Sequence, residues 1–164
     1  MEYQFTDITE NGVDLKNMDQ RYFLVGLLNE FTNLFQSVGD SIFQEISWKQ
    51  CFVLNCIRLF EKAPTLKELS DMLGSSHQNV KQMLLKLEKT GYVKFVPDEV
   101  DKRKQRIMVT EKTENFAREH EAVSEHHMEK LFSTVDPESL AITVQTFMKL
   151  DEQLRCIKEE RDVK

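Results

Sequence analysis

The chain has 164 residues, long enough to bury a sizeable core, and is read as one compact domain overall. Its formal charge of −6 and pI near 5.3 exclude a general binder of polyanions. The charge is unevenly placed, however: residues 75–110 hold eight Lys/Arg against four acids, a net of +4, which leaves −10 for the rest.

Residues 1–18 are mixed and weakly patterned and read as an N-terminal arm. From Asp19 to Val38 the side chains of Phe23, Leu27, Phe31, Leu34, Phe35 and Val38 share one helical face, with Gly39 as the expected stop. Phe43 and Ile46 lie in a connector that closes this segment, residues 19–46. Ser47 with Gln50 forms a capping box, opening a second helix that should run to Glu61, ahead of Ala63-Pro64.

The next stretch carries the strongest signal. Thr65 with Glu68 is another capping box, and Leu66, Leu69, Met72 and Leu73 follow at helical spacing until Gly74. Ser75 with Gln78 reads as a further box, followed by the apolar face Val80, Met83, Leu84 and Leu87 and a stop at Gly91. Two short helices joined by Gly-Ser form a helix-turn-helix. Residues 92–96 and 106–110 alternate as strands of a hairpin, with Pro97 expected to end the ladder. The hairpin tip carries Lys102, Arg103 and Lys104, with Arg106 just behind. Such an order is a winged helix-turn-helix, here residues 47–112, whose second helix enters the DNA major groove.

Ser76, His77, Gln78, Asn79, Lys81 and Gln82 occupy the outward positions of that helix. Gln and Asn can pair bidentately with adenine, and Lys can reach guanine or phosphate. Lys102, Arg103, Lys104 and Arg106 are the wing's candidates for DNA contact, and Asp101, two before Arg103, can brace its guanidinium.

Residues 113–164 read as C-terminal helices. Thr110 caps one that runs from about Glu111 to Ser133, with Phe116, His120, Val123, His127 and Leu131 recurring. Asp136-Pro137 then starts another, with Leu140, Val144, Phe147, Leu150, Leu154 and Ile157 close to a heptad pattern. The first and last helices thus carry apolar faces that need another surface, and a two-fold partner copy supplies one. The expected fold class is mainly α with a small β-wing, the reader being flanked by long dimerisation helices.

These motifs resemble the multiple antibiotic resistance regulator (MarR) family. The family's wing pattern of Asp, any residue, Arg, then a hydrophobic strand ending Leu-Thr is matched by Asp101 to Thr110, with Val109 in the Leu place. Thr113 stands where the family often has Gly. Residues 66–91 match in the Leu66-Lys67-Glu68-Leu69-Ser70 start and the Leu87-Glu88-Lys89-Thr90-Gly91 ending, and the resemblance covers about residues 20–158. It implies a homodimer whose first and last helices interlock, bound to a palindromic operator, with repression the commoner outcome. It also implies that Arg103 enters the minor groove with Asp101 in support. Family members often respond to small phenolic or amphipathic effectors in a cleft. Phe31, Phe35, Trp48 and Phe52 are the candidates for lining one, against a plain core role that their setting favours.

Other chemistries find little support. Some relatives in the family sense zinc, but His120 and His127, two turns apart, have no third ligand within local spacing, so no metal or other cofactor is expected. Others sense peroxide through a Cys near the start of the first helix, where this chain has none; Cys51 sits in an apolar neighbourhood that favours an inert thiol. Three cysteines (Cys51, Cys56, Cys156) without a CxxC spacing or a secretory leader point to a reducing cytoplasm. No apolar run approaches the roughly 18 residues of a membrane span. The absence of GxSxG, Gly-rich phosphate-loop and HExxH motifs argues against an enzyme. The competing reading is a winged-helix module that binds protein instead of DNA.

Overall fold

The computed structural model describes residues 18–162. The expected arm therefore lies, but for Met18, outside the described residues. Those residues form six helices and one hairpin, and they fall into two units, the first ending at Glu114 and the second beginning at Asn115.

Helix α1 spans Gln20–Ile42 and starts at Asp19, whose carboxylate accepts the Arg21 N–H at 2.8 Å. It does not stop at Val38. Gly39 lies inside the helix and is buried, because Trp48 rests directly on it. A Cβ at position 39 would come within 2.8 Å of the Trp48 Cβ and ring. This glycine is therefore a point of close approach and not a terminator. Asp40, one residue on, accepts the Trp48 N–H at 2.6 Å, which fixes the entry to α2.

Helix α2 spans Trp48–Arg58 behind the Ser47–Gln50 capping box and buries Cys51, Val53, Leu54, Cys56 and Ile57. It ends short of Glu61, since Leu59 and Phe60 turn their N–H groups to carbonyls three residues back, tightening the last turn ahead of Pro64. Helix α3 (Leu66–Met72) keeps the Thr65–Glu68 box. Helix α4 spans His77–Lys89. Gly74 and Gly91, which end α3 and α4, sit at φ +60° and +81°, where side chains with a Cβ are strained.

Strands β1 (Val93–Pro97) and β2 (Gln105–Val109) pair antiparallel, with Phe95 opposite Ile107 and Val96 opposite Arg106. Pro97 stays in register opposite Gln105, contrary to the expectation that it ends the ladder beforehand. It closes the hairpin at the end of the outer strand, where its missing N–H is not required. The other edge of β2 meets the chain just before α3: Ile107 donates to the Pro64 carbonyl at 2.8 Å, and Thr65 bridges to Arg106. Beneath α3, α4 and the hairpin lies one apolar core of Leu69, Val80, Leu84, Leu87, Val93 and Ile107, all nearly or fully buried. Truncating any of these leucines to Ala would cost about 2–5 kcal/mol by lost burial and a residual cavity.

Helix α5 (Glu111–Phe132) runs across the unit boundary, and α6 (Pro137–Asp162) follows. Asp136 caps α6 by accepting the Ser139 N–H at 2.9 Å. Within the single chain, Leu140, Val144, Leu150, Leu154 and Ile157 of α6 remain exposed, as do Tyr22, Val25, Leu27, Phe31 and Leu34 of α1.

Gly39→Ala should destabilise the protein by about 1–3 kcal/mol through overpacking against Trp48. Urea unfolding at neutral pH measures this; an unchanged midpoint would mean that the helix and the indole separate freely.

Candidate nucleic-acid interface

The first turn of α4 sets what the reader presents. Its N-cap is Ser76, whose hydroxyl accepts the Asn79 N–H at 3.3 Å, and not Ser75 with Gln78 as the spacing suggests. Ser75 is used otherwise: its N–H returns to the Ser70 carbonyl at 3.2 Å and closes the turn behind α3. The helix therefore begins one residue later. Val80, Leu84 and Leu87 pin one face into the core. His77, Gln78, Asn79, Lys81 and Gln82 remain exposed on the other side, and Ser76 is exposed but spends its hydroxyl on the cap. Lys86 and Lys89 lie in the last turn, where their charge complements the helix C-terminus.

The wing tip is organised by two aspartates. Asp98 is only 3% exposed, and its Oδ1 accepts the N–H groups of Val100 and Asp101 at 3.0 and 2.9 Å. The Asp98 N–H reaches the Lys104 carbonyl at 2.9 Å, and the Lys104 N–H reaches that of Asp101 at 2.8 Å, which closes the loop. Asp101 Oδ1 in turn accepts the Arg103 backbone N–H at 3.2 Å and its Nε at 3.4 Å. The brace expected from sequence is present, and the Arg103 side chain beyond it is 94% exposed. Lys102 and Lys104 are exposed beside it, with Lys104 Nζ 3.9 Å from Asp101.

Arg106 does not share that exposure. Its side chain is 17% exposed, and the guanidinium is held from two sides. Nε donates to Asp98 Oδ2 at 2.6 Å; Nη1 donates to the Ala63 carbonyl at 2.9 Å and to Glu68 Oε2 at 3.0 Å. Lys62 Nζ lies 3.6 Å from the same Asp98 oxygen. The physical reason is the β2 register, which turns Arg106 toward the start of α3 and away from the tip. The Asp101 amide, then the Arg106 side chain and the Val100 amide, hold the Asp98 carboxyl far below the usual carboxylate range. Glu68 is likewise lowered, first by the Thr65 backbone N–H and then by the Thr65 hydroxyl. Asp98 was missed as a functional residue by sequence reading, since its partner is eight residues away across a hairpin. Only the Thr65–Glu68 box hinted that a carboxylate faces this side.

Three of the four aromatic candidates, Phe31, Phe35 and Trp48, form a chain of ring contacts from α1 to α2. Phe31 and Phe35 stack at 5.6 Å between centroids, Phe35 meets Trp48 edge-on at 4.8 Å, and Phe43 stacks with the Trp48 indole at 6.0 Å. Phe31 and Phe52 are about half exposed, so neither is core within the single chain, against the favoured sequence reading. Cys51 and Cys56 are buried, and burial pushes both thiols up; Cys156 is exposed. His120 and His127 turn their Nδ1 atoms to carbonyls four residues back on α5. Among the described residues no three His, Cys, Asp or Glu side chains gather as a metal site would require, and no helix is long and apolar enough to cross a membrane.

A helix-turn-helix with an exposed polar second helix and an ordered basic hairpin defines a winged-helix protein. The MarR family model matches residues 45–104, from the end of the α1–α2 connector to the wing tip. That segment is similar to the MarR family, and solved structures of that family have the same fold over most of this chain. A MarR/EmrR family transcriptional regulator from Acinetobacter sp. ADP1 is 15% identical, with 87% of this chain and 99% of that one covered at a TM-score of 0.75. Streptococcus pneumoniae FabT, solved in complex with DNA, is 22% identical over 85% of this chain and 99% of its own, at a TM-score of 0.63. An organohalide-sensing transcriptional regulator in its 2,4-dichlorophenol-bound form is 14% identical over 89% and 88%, at a TM-score of 0.74. No curated protein matches the sequence. At these identities the structural likeness establishes the fold, and the family match covers α2, the helix-turn-helix, β1 and the wing tip.

The depressed Asp98 carboxyl makes a claim about pH. A carboxyl held low in the folded state contributes stability that is present above its unfolded value of about 3.9 and is lost as pH falls through and below that value. Asp98→Asn should therefore lower the urea midpoint near pH 7, and the difference between pH 7 and about pH 3 should shrink relative to wild type. An equal difference in both proteins would show that other carboxylates carry the acid sensitivity.

Proposed function

We propose that this chain is a sequence-specific, DNA-binding transcription regulator, most simply a repressor, that acts as a homodimer on a palindromic operator in the cytoplasm. One observation carries the reading. Within a single unit, the exposed polar side chains of His77, Gln78, Asn79, Lys81 and Gln82 stand with an exposed basic tip, on a chain that is otherwise strongly acidic. Phosphate attraction is screened beyond roughly 10 Å, so the local sign governs and the total charge does not. In this reading Gln78 and Asn79 reach base edges in the major groove, with His77, Lys81 and Gln82 beside them and Ser76 ordering the turn. Arg103 enters the minor groove, and Lys102 and Lys104 meet phosphates. The DNA complex of FabT, which shares this fold, supports the assignment.

The functional division follows the sequence. Residues 47–112 read DNA, while residues 19–46 and 113–164 hold two copies together. The exposed apolar rows of α1 and α6 support the second part, since each is larger than a solvated helix needs. Phe31, Phe35, Trp48 and Phe52, of which Phe31 and Phe52 are about half exposed, are our candidates for lining a site for a small amphipathic or phenolic effector. The 2,4-dichlorophenol-bound regulator of the same fold supports that choice of ligand class. The role is binding and not catalysis.

Selection of duplexes from a random-sequence library by the purified chain tests the reading. Enrichment of an inverted repeat supports it. No enrichment, with binding to proteins only, supports the interaction-module alternative instead. On the selected duplex, Gln78→Ala or Asn79→Ala should cost about 1–3 kcal/mol and relax preference at one base pair per half-site. Arg103→Ala should weaken binding to many sequences and flatten the salt slope by about one unit per subunit. A change of preference at one major-groove position with Arg103→Ala alone would overturn the docking.

Leu150→Asp should dissociate or unfold the dimer, because an unpaired charge buried in an apolar contact is very costly. Sedimentation of the wild type as a folded monomer at micromolar concentration would contradict the homodimer and, with it, the palindrome.

A further inference from the structure

The contacts that hold Arg106 run without a break from the start of α3 to the residue that the proposed function places in the minor groove. Glu68 Oε2 accepts the Thr65 N–H at 2.7 Å and the Thr65 hydroxyl at 2.9 Å, and the same oxygen receives Arg106 Nη1. The other arm of the guanidinium fork holds Asp98 Oδ2. Asp98 Oδ1 holds the amides of Val100 and Asp101, and Asp101 Oδ1 holds both the backbone and the Nε of Arg103. At the far end, α3 leads through the Gly74 turn directly into α4.

We propose that Arg106 is a positioning residue for DNA recognition: it fixes the wing tip relative to the first turn of α4, and so sets the spacing between the minor-groove and major-groove contacts. The inference rests on the proposed DNA-reading function and assigns Arg106 a role other than phosphate contact. Geometry favours it over direct contact. Nε and Nη1 are both committed, and the side chain is largely covered, whereas Arg103, Lys102 and Lys104 are open. The residue type matters too. A planar fork can grip groups on two sides at fixed angles, whereas a lysine carries all its donors on one nitrogen. Asp98 is buried, so a displaced guanidinium would leave its carboxylate without its main side-chain partner, and the tip amides that it orders would loosen.

The test is a double-mutant cycle read by fluorescence anisotropy on a duplex selected by the wild-type chain. Arg103→Ala and Arg106→Gln should each weaken binding by about tenfold or more. The double variant should be scarcely weaker than the worse single one, because Arg106 acts through Arg103. A second readout uses duplexes in which the A·T-rich flank is shifted by one base pair from the half-site. Wild type should discriminate against the shift, while Arg106→Gln should bind both duplexes alike yet keep its preference at the positions read by Gln78 and Asn79. If circular dichroism shows Arg106→Gln unfolded, Arg106→Lys replaces it in the same cycle. Additive losses, or an Arg106→Gln variant with wild-type affinity and spacing preference, overturn the proposal while leaving the DNA-reading function intact. A wild-type chain that selects no duplex removes both.

Discussion

Strand β2 is held along both of its edges, and the rest of the reader depends on that. On one side it pairs with β1 through five residues; on the other, Ile107 donates to Pro64 and Thr65 bridges to Arg106. A hairpin attached by one edge only would swing about its base. Here the segment before α3 serves as a partial third strand, so the wing and the helix-turn-helix share one backbone hydrogen-bond framework. The fully buried Ile107, Leu69, Leu84 and Leu87 then fill the space beneath it, and α4 has no freedom to roll its polar face inward.

Ionic contacts refine this framework. The buried Asp98 faces Arg106 on one side and two backbone amides on the other, so little of its desolvation cost is left unmet. Buried ion pairs of this kind are weak sources of net stability, but they penalise misplacement strongly, since a carboxylate deprived of its partners has nowhere to go. The surface pairs are different in kind. Arg103 with Asp101 and Lys104 with Asp101 are solvent-screened, and their value lies in where they aim charge. The tip thus combines a rigid, charge-paired base with an open cationic end.

What was legible in the sequence was local. The boxes Ser47–Gln50 and Thr65–Glu68 and the Asp136 cap rest on side chains that reach three residues along the chain, and all three stand in the structure. The polar face of α4 and the Asp101–Arg103 brace belong to the same class, with partners at most a few residues apart. The departures have non-local causes. Gly39 looked like a helix stop because nothing nearby shows that an indole nine residues later will rest on it. Ser75 and Ser76 both have a plausible partner three residues on, and the choice between them falls to a backbone bond from Ser75 to Ser70. Arg106 follows three cations at the tip, and its true partners, Asp98 and Glu68, are brought to it only by the strand register. Phe31 and Phe52 fit a core pattern by spacing, yet the single chain leaves them half open.

The central claim is that α4 and the wing address two different grooves of one duplex. Dimethyl sulfate protection on the selected duplex measures this directly, because it reports guanine N7 in the major groove and adenine N3 in the minor groove separately. The account requires guanine N7 protection within each half-site, flanked by adenine N3 protection that Arg103→Ala removes without disturbing the former. Protection confined to one groove, or loss of both signals together in a folded Arg103→Ala protein, would contradict it.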